Sequence, residues 1–342
     1  MALQQEILQK TTDRPIGVIL LQLGTPDAPT PKALRTYLHE FLLDRRVIDL
    51  SRAIWWPVLY LFVLPLRPAR SAKLYRNIWT KQGSPLSVIT NAQAMALSEA
   101  LERQHPGRFR VAVGMRYGNP SIASAVAHLK AAGCDRLLAV PMYPQYASAT
   151  TGSSVHHLFD CLRKEREIPS VRVMPPYFDA PEYIDALAAT VNDATADFPP
   201  DHVLISFHGV PKRYITSGDP YQCHCLTTAD KLIEKMGWDR SKVSVTFQSL
   251  FGREEWITPY TEATLRGLAK QKIGRLASMC PGFTADCLET LEEMAITNGE
   301  IYRHEGGGDY RLMPCLNTHP AWITGLTALV TREAAGWLPD GS

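Results

Sequence analysis

The sequence predicts an α/β protein with two similar lobes, each a parallel sheet flanked by helices, that face each other across a cleft. Short buried-type strands alternate along the chain with amphipathic helices, which is the pattern of parallel α/β sheets. The segment 18–26, V-I-L-L-Q-L-G-T-P, also aligns without gaps on 203–211, V-L-I-S-F-H-G-V-P. The length of 342 residues favours two domains over one.

Two further strand pairs extend this internal repeat in the same order. Residues 110–115 align with 242–247, and 138–143 align with 276–281. The alternative is that buried parallel strands simply resemble one another in composition. We expect an N-terminal lobe over 12–175, a C-terminal lobe over 176–310, and a final strand and helix in 311–342 that pack back on the lobes.

The individual elements follow from periodicity and capping signals. Gly17–Leu23 predicts the first strand, and Thr30 followed by Pro31 predicts the start of a helix. A helix is expected over 91–104, strands over 109–115 and 137–142, a late strand near 311–315 and a last helix over 319–336.

Composition excludes some classes of function. The formal charge is +2, from 36 basic and 34 acidic residues, and no basic block occurs, so nucleic acid is not expected as a partner. Seven scattered cysteines favour a reducing compartment over a disulfide framework. The first residues lack the apolar core of a signal peptide, which makes the cytoplasm the expected location.

Residues 53–66, A-I-W-W-P-V-L-Y-L-F-V-L-P-L, form an uncharged apolar segment, which we call the lip. It is too short to cross a bilayer, which needs about 20 apolar residues. One interpretation is a buried core helix. The other is an exposed apolar surface, with Trp55, Trp56 and Tyr60 suited to a membrane interface or a large apolar ligand.

His208 ends the predicted strand 203–207, because Gly209 and Pro211 force a turn directly after it. Ligands of parallel α/β sheets bind at this edge, where the strands end. A single histidine here is nevertheless more often a structural residue of the turn. In the repeat it lies opposite Leu23.

Asp286, Glu289 and Glu293 follow another strand end at spacings of three and four residues. If Thr284 caps a helix here, the three carboxylates share one helical face and could pass protons or hold a hard cation. The alternative is that they complement the positive end of the helix dipole, which fits Glu293 least.

Other motifs carry weaker signals. The first strand is not followed by G-x-G-x-x-G, and no phosphate-binding G-x-x-x-x-G-K-[ST] occurs. Cys223-His224-Cys225 has no second ligand pair nearby for zinc. Thr150–Ser154 fits a helix cap better than an anion site. Aromatic residues at the strand ends suit a large, flat, apolar ligand: Tyr117, Tyr143, Tyr146, Trp256 and Phe283.

Over nearly its whole length the chain resembles the ferrochelatases, enzymes that insert ferrous iron into protoporphyrin, and it is most similar to the proteobacterial form. The resemblance is carried by S-F-H-G-V-P with G-D-P-Y, by Y-P-Q-Y with T-T-G-S-S, by F-Q-S with a later Trp, and by F-T-A-D-C-L-E-T-L-E-E. It implies two Rossmann-like lobes with protoporphyrin IX between them.

The resemblance implies roles for particular residues. His208 matches the essential histidine, Glu289 the carboxylate opposite it, and Glu293 continues the acidic path; His208 and Glu289 would also handle the metal. Porphyrin contacts are implied at Leu23, Arg67, Tyr75, Ser84, Arg116, Tyr117, Trp256 and Phe283. The lip would touch the inner membrane, which implies a cytoplasmic enzyme held peripherally at that surface.

The chain departs from the wider family at several positions. Animal members carry a [2Fe-2S] cluster, but Ser148 stands at the matching internal position and no Cys follows Cys315, so we expect no cluster and no required cofactor. Cys287 replaces a histidine found in animal forms, and Gln22 stands where many relatives have Asn.

Two rival functions remain open at this stage. One is a chelatase that inserts cobalt or nickel into a different tetrapyrrole. The other is a haem or porphyrin carrier, which would need no paired imidazole and carboxylate.

Overall fold

The computed structural model describes residues 14–250, 252 and 254–338. The first sheet contains β1 (Ile16–Thr25), β2 (Phe109–Gly118), β3 (Arg136–Pro141) and β4 (Ser170–Val173). The second contains β5 (His202–His208), β6 (Val243–Gln248), β7 (Arg275–Met279) and β8 (Asp309–Leu312). Both are parallel, with spatial orders β2-β1-β3-β4 and β6-β5-β7-β8. The predicted fold class, two similar parallel α/β lobes, is confirmed.

Helices flank both sheets. They are α1 (Pro31–Leu43), α2 (Arg52–Val58), α3 (Leu64–Ile78), α4 (Pro85–Gln104), α5 (Ile122–Ala131), α6 (Ser153–Leu162), α7 (Pro181–Thr195), α8 (Lys212–Thr216), α9 (Tyr221–Met236), α10 (Thr261–Lys270), α11 (Gly299–His304) and α12 (Pro320–Glu333). Three segments are π-helical, Leu59–Val63, Ser148–Gly152 and Glu289–Asn298, and Arg240–Lys242 is a 3₁₀ turn. Thr30 caps α1 as predicted, its hydroxyl accepting the Ala33 N–H at 3.3 Å.

The internal repeat is real, but the sequence alignment of its third strand is off by one residue. Val18 pairs with Leu138 in the first sheet, whereas Val203 pairs with Ala277 in the second. Leu138 and Ala277 both face the large core, while Leu276 faces the opposite side of its sheet. Matching Leu138 to Leu276 was therefore wrong, because a slip of one residue moves a strand's side chains to the other face.

One apolar core joins the two sheets. It contains Val18 and Leu138 from the first sheet, Val203 and Ala277 from the second, and Trp322 of α12. The indole of Trp322 is fully buried and stacks on Tyr177, with ring centroids 6.0 Å apart. Helix α12 packs against α4 and α7. The last helix therefore lies against both lobes.

The predicted segment boundaries differ from the observed elements in detail. The boundary after residue 310 falls inside β8, which starts at Asp309 and pairs with β7. Strand β4 and helices α7 and α9 were not predicted. Strand β4 has only four residues and is half-exposed, so it carries little apolar pattern. Residues 12–13 and 339–342 of the predicted segments lie outside the described residues.

The lip exposes an apolar face and keeps an inward face of its own. The chain is helical from Arg52 to Ile78, with the π-helical turn in between. Leu59 and Leu64 are buried. The exposed side chains are Ile54, Trp56, Val58, Tyr60, Leu61, Phe62 and Leu66. Among the described residues, no helix combines the length and apolarity needed to cross a bilayer.

Trp55 does not belong to the exposed face, so its predicted place there was wrong. Its side chain is only 6% exposed, against 51% for Trp56. Its Nε1–H donates to the Leu42 carbonyl at 2.7 Å, which ties the lip to α1. Trp55 and Leu59 are one helical turn apart, so both face inward.

We expect Gly24→Ala to destabilise the protein far more than Gly107→Ala. Gly24 has φ +100°, and a Cβ there would lie 1.8 Å from the Tyr117 carbonyl oxygen; Gly107 has φ +73° and open space around it. The left-handed backbone alone costs about 1–2 kcal/mol, and the clash should bring the loss at Gly24 to roughly 3 kcal/mol or more. Urea unfolding of both variants measures the difference; equal losses would contradict the expectation.

Candidate functional site

His208 is held in a defined orientation at the end of β5. Its Nδ1 lies 2.6 Å from the Gly209 carbonyl oxygen. Because a carbonyl can only accept, Nδ1 carries the proton, and Nε2 of the neutral ring keeps a free lone pair. The Tyr221 hydroxyl donates to the His208 carbonyl at 2.9 Å. The half-buried ring lies beside Trp256, with centroids 6.5 Å apart.

Gln248 connects the strand end of His208 to the helix that carries Glu289. It ends β6 and pairs with His208 across the sheet. Its backbone carbonyl accepts the Gly209 N–H at 2.7 Å. Its Nε2 donates to the Glu289 carbonyl at 3.0 Å, and its Oε1 accepts the Ser206 hydroxyl at 2.7 Å. The side chain is buried, so the polar contacts are protected from water.

Ser249 directs two donors at Glu293. Its backbone has φ 66°, the left-handed region that non-glycine residues rarely adopt. Its N–H lies 2.8 Å and its hydroxyl 2.5 Å from the Glu293 carboxylate. Burial raises the pKa of Glu293, and the nearby Glu289 charge adds to the rise; the Ser249 bonds and His208 oppose it.

Glu289 and Glu293 lie on a π-helix, not on an α-helix. A π-helix has more residues per turn, so side chains four apart remain nearly stacked. The helical segment begins at Leu288, four residues after the predicted N-cap Thr284, whose hydroxyl instead donates to the Met142 carbonyl at 3.0 Å. The Thr284 prediction was therefore wrong.

Asp286 also differs from the predicted row of three carboxylates. It precedes the helix and accepts the Asn317 Nδ2–H at 2.7 Å and the Thr290 hydroxyl at 2.9 Å. Its carboxylate thus fixes the turn before the helix, which leaves Glu289 and Glu293 as the acidic pair. Within the described residues, no group of three or more His, Cys, Asp or Glu side chains is arranged to hold a metal ion.

The N-terminal lobe supplies the wall that faces Glu289. Leu288 packs into an apolar cluster that contains Leu23, Tyr75 and Tyr117. Burial raises the pKa of Tyr75, and the charge of Glu289 reinforces the rise, so the two side chains are near each other. Ser84 is buried and its hydroxyl accepts the Thr25 hydroxyl at 2.8 Å.

Three of the residues with implied porphyrin contacts are half-buried: Arg67, Trp256 and Phe283. Burial lowers the pKa of the Arg67 guanidinium. The indole of Trp256 would contact a Cβ at Gly209, and its Nε1 is buried without a hydrogen-bond partner in the described part of the chain. Phe283 packs with Leu86 of α4.

Arg116 and Tyr117 belong to a separate polar network. Asp44 accepts the Arg116 guanidinium at 2.5 Å and the Tyr117 hydroxyl at 2.8 Å, and it also accepts the Ser153 hydroxyl. These bonds lower the pKa of Asp44, although its burial acts in the opposite direction. Tyr117 is fully buried. The polar atoms of these two residues are therefore bound to Asp44, while the Tyr117 ring packs in the cluster that contains Leu23.

Sequence reasoning assigned no role to Gln248, Ser249 or Asp44, although the F-Q-S motif contains the first two. The first two follow a strand end just as His208 does, so the same rule applied to β6 would have found them. Asp44 follows α1 and carries no local signal, because its partners come from β2 and from α6.

Comparisons with known proteins agree with this architecture. A structure of SirB from Bacillus subtilis with Fe³⁺ is similar over 94% of this chain and 96% of that chain, with a TM-score of 0.57 and 10% identity. The sirohydrochlorin chelatase SirB from Bacillus subtilis subspecies spizizenii, in complex with cobalt, gives a TM-score of 0.51, 10% identity and coverages of 94% and 95%. At such low identity these likenesses show the fold alone.

Sequence relatives are far more similar. A ferrochelatase from Rhizobium meliloti is 49% identical over 94% of this chain and 96% of its own length, and one from Thioalkalivibrio sulfidiphilus is 47% identical over 94% and 88%. The family model for ferrochelatase matches residues 15–334. The chain therefore belongs to the ferrochelatase family, whose reaction is the insertion of a metal ion into a porphyrin for haem synthesis.

Proposed function

We propose that the chain inserts Fe²⁺ into protoporphyrin IX and releases two protons to give protohaem. The observation that supports this best is that the strand pair carrying His208 and Gln248 is bonded to the helix of Glu289 and Glu293. Gln248 donates to the Glu289 carbonyl, and Ser249 donates to the Glu293 carboxylate. A carrier that only binds the ring would not need an imidazole together with a half-buried carboxylate pair.

The reaction itself defines what these groups must do. Free porphyrin holds two N–H protons in its centre, and the ring must bend before the metal can reach the four nitrogens. Binding energy supplies that distortion, and the neutral product ring system forms when Fe²⁺ replaces two H⁺. We assign His208 Nε2 to proton abstraction or metal transfer at one face of the ring. Glu289 takes the complementary task at the other face.

Glu293 extends the task of Glu289. It lies one turn further along the same π-helix, and its raised pKa makes it a better proton acceptor than an exposed carboxylate. A proton taken up at Glu289 can pass to Glu293 and be shared with the Ser249 hydroxyl. In this proposal the two carboxylates work as a pair, and iron is a substrate.

The ring would lie between the N-terminal wall and the His208 side. Leu23, Tyr75, Ser84 and Phe283 would contact its faces and edges, and Trp256 would cover it next to His208. The half-buried Arg67 suits a propionate carboxylate.

We give Arg116 and Tyr117 an indirect part. Their polar atoms are committed to Asp44, and Tyr117 packs in the cluster that includes Leu23. They would hold the wall in shape behind the ring. The chain would need no resident cofactor and no [2Fe-2S] cluster, which the serine at position 148 supports.

We further propose that the exposed face of the lip rests on the cytoplasmic side of the inner membrane, where an apolar porphyrin partitions. Trp56, Phe62 and Leu66 are 51%, 61% and 71% exposed, an arrangement suited to the membrane interface. Arg70, exposed four residues after Leu66, can meet anionic headgroups.

His208→Ala and Glu289→Gln should each lower the rate of haem formation by roughly 10²- to 10⁴-fold, the usual contribution of a general acid or base. The assay is anaerobic incubation with Fe²⁺ and protoporphyrin IX, followed by the haem spectrum. His156→Ala, on the exposed surface of α6, is the matched control and should keep the parent rate.

The same assay separates the rival functions. Coproporphyrin III and sirohydrochlorin are tested in parallel, with Fe²⁺, Co²⁺ and Ni²⁺. Absence of haem from the parent, faster turnover of another tetrapyrrole or metal, or a His208→Ala variant as fast as the parent would each overturn the proposal.

The double variant Trp56→Ser/Phe62→Ser should lose most binding to vesicles of mixed neutral and anionic lipid while retaining activity in detergent. Both side chains are exposed, so the fold should tolerate their removal. Co-sedimentation measures binding, and Phe159→Ser, with 48% exposure away from the lip, is the control. Unchanged sedimentation of the double variant would contradict the membrane assignment.

Glu293→Gln should make the protein more stable at neutral pH than its parent, and the difference should vanish at low pH. The pKa of Glu293 is raised above its ordinary value of 4.5, so its contribution is fully favourable below that value and is lost as pH rises through the folded-state pKa. Each unit of rise corresponds to about 1.4 kcal/mol.

Urea unfolding between acidic and neutral pH tests this expectation. Glu262→Gln, whose carboxylate is exposed and pairs with Arg266, is the control and should show no such gain. A Glu293→Gln variant that is less stable than the parent at every pH would show that the Ser249 bonds outweigh burial.

A further inference from the structure

Helix α4 docks one face onto the turn that precedes Glu289. Leu86 and Ile89 pack against Phe283, Ala285 and Cys287. Residues at positions 86, 89, 90 and 93 are three or four apart and therefore share that face. A helix of the N-terminal lobe thus rests directly on the turn of the C-terminal lobe from which the catalytic π-helix starts.

Gln93 provides the polar contact of this face. It is fully buried, and its Nε2 donates to the Thr284 carbonyl at 2.7 Å and to the Asn317 carbonyl at 2.8 Å. Its two donors are therefore both used, and both point into the C-terminal lobe. Its Oε1 is buried without a hydrogen-bond partner among the described residues, so the amide is held there by its donors alone.

The two carbonyls that Gln93 binds belong to two chain segments, one at Thr284 and one at Asn317, which hydrogen bonds join to each other. Asn317 donates its own N–H to the Thr284 carbonyl at 3.0 Å. The Asn317 side chain exchanges two bonds with Asp286, accepting its N–H at 2.9 Å and donating to its carboxylate at 2.7 Å. Asp286 in turn accepts the Thr290 hydroxyl at 2.9 Å inside the π-helix. A displacement of this turn would therefore move Glu289.

The other end of α4 lies at the opposite wall of the cleft. Its N-cap is Ser84, whose hydroxyl accepts a hydrogen bond from Thr25 at the end of β1. Gln93 lies nine positions after Ser84, about 13.5 Å along the helix axis. Helix α4 is thus a rigid spacer between the N-terminal wall and the turn that carries Phe283 and Glu289.

The structure assigns Gln93 the role of a positioning residue that fixes the distance of Glu289 and Phe283 from the N-terminal wall. It acts through the turn at 284–287 and does not touch the substrate. The assignment rests on the proposed function, since the group it positions is the proposed catalytic carboxylate. Replacing the amide by an apolar group removes one of the two donors to the Thr284 carbonyl and the Gln93 donor to the Asn317 carbonyl, and the turn should relax away from α4.

The test is Gln93→Leu in the full chain, compared with Thr90→Val. Thr90 is fully buried on the same face and its hydroxyl has no partner in the described residues, so the control removes a buried polar group without removing a bond. We expect Gln93→Leu to lower kcat roughly 10- to 100-fold, because small misplacements of a reacting group are costly. KM for protoporphyrin should change by less than about threefold.

Resonance Raman spectra of bound, metal-free protoporphyrin give a second readout that needs no turnover. Weaker out-of-plane ring modes in Gln93→Leu than in Thr90→Val would support the role. If Gln93→Leu does not fold, Gln93→Met, which fills similar volume with a flexible side chain, replaces it. Parent kcat and parent Raman spectrum in the folded variant, with only a lower Tm, would overturn the inference. Absence of haem from the parent would instead overturn the proposed function.

Discussion

The cleft depends on a single apolar core that both sheets share. Val18 and Leu138 from one sheet and Val203 and Ala277 from the other bury their side chains in it, and Trp322 fills the space beside them. Each large apolar side chain buried there contributes about 1.5–3 kcal/mol. The lobes cannot separate without exposing this surface, so the strand ends that carry Leu23 and His208 keep a fixed position relative to each other.

The apolar core holds the two lobes together, and polar contacts then fix the positions of individual site residues. Gln248 holds the carbonyl of Glu289, and Ser249 adopts a left-handed backbone to reach Glu293. Gln248 is a polar residue where a buried strand end favours an apolar one, and Ser249 has a backbone conformation that a non-glycine residue rarely adopts. Such violations are expected where geometry serves chemistry and the surrounding fold can carry the cost.

The sequence was sufficient for the fold class, for most strands and for the position of His208, because burial of parallel strands leaves continuous apolar runs. It was insufficient where tertiary contacts override local pattern. The spacing of Asp286, Glu289 and Glu293 predicts one helical face. Asp286 instead accepts a hydrogen bond from Asn317, which lies 31 residues later in the chain. Residues 138–139 and 276–277 are both Leu-Ala, and this favoured aligning them with each other. The pairing of β7 with β5 shows that position 138 corresponds to position 277.

The proposed roles of individual residues come from the family resemblance and not from periodicity. The contacts in the structure bear on some of these residues more than on others. Glu293 is bound by both donors of Ser249, whereas Tyr117 is fully buried and bonded to Asp44. The local sequence does not indicate that Tyr117 is buried, because its hydrogen-bond partner Asp44 lies just after helix α1, far away in the sequence.

The division of labour inside the lip has an evolutionary consequence. Trp55, Leu59 and Leu64 hold the segment on the protein, while Trp56, Leu61 and Phe62 on its other face contribute little to folding. Selection can therefore exchange the outer residues freely without penalty to the native state. Among relatives we expect the residues at the inner positions to change slowly. Those at the outer positions should change quickly while staying apolar, so that membrane affinity and folding stability evolve independently.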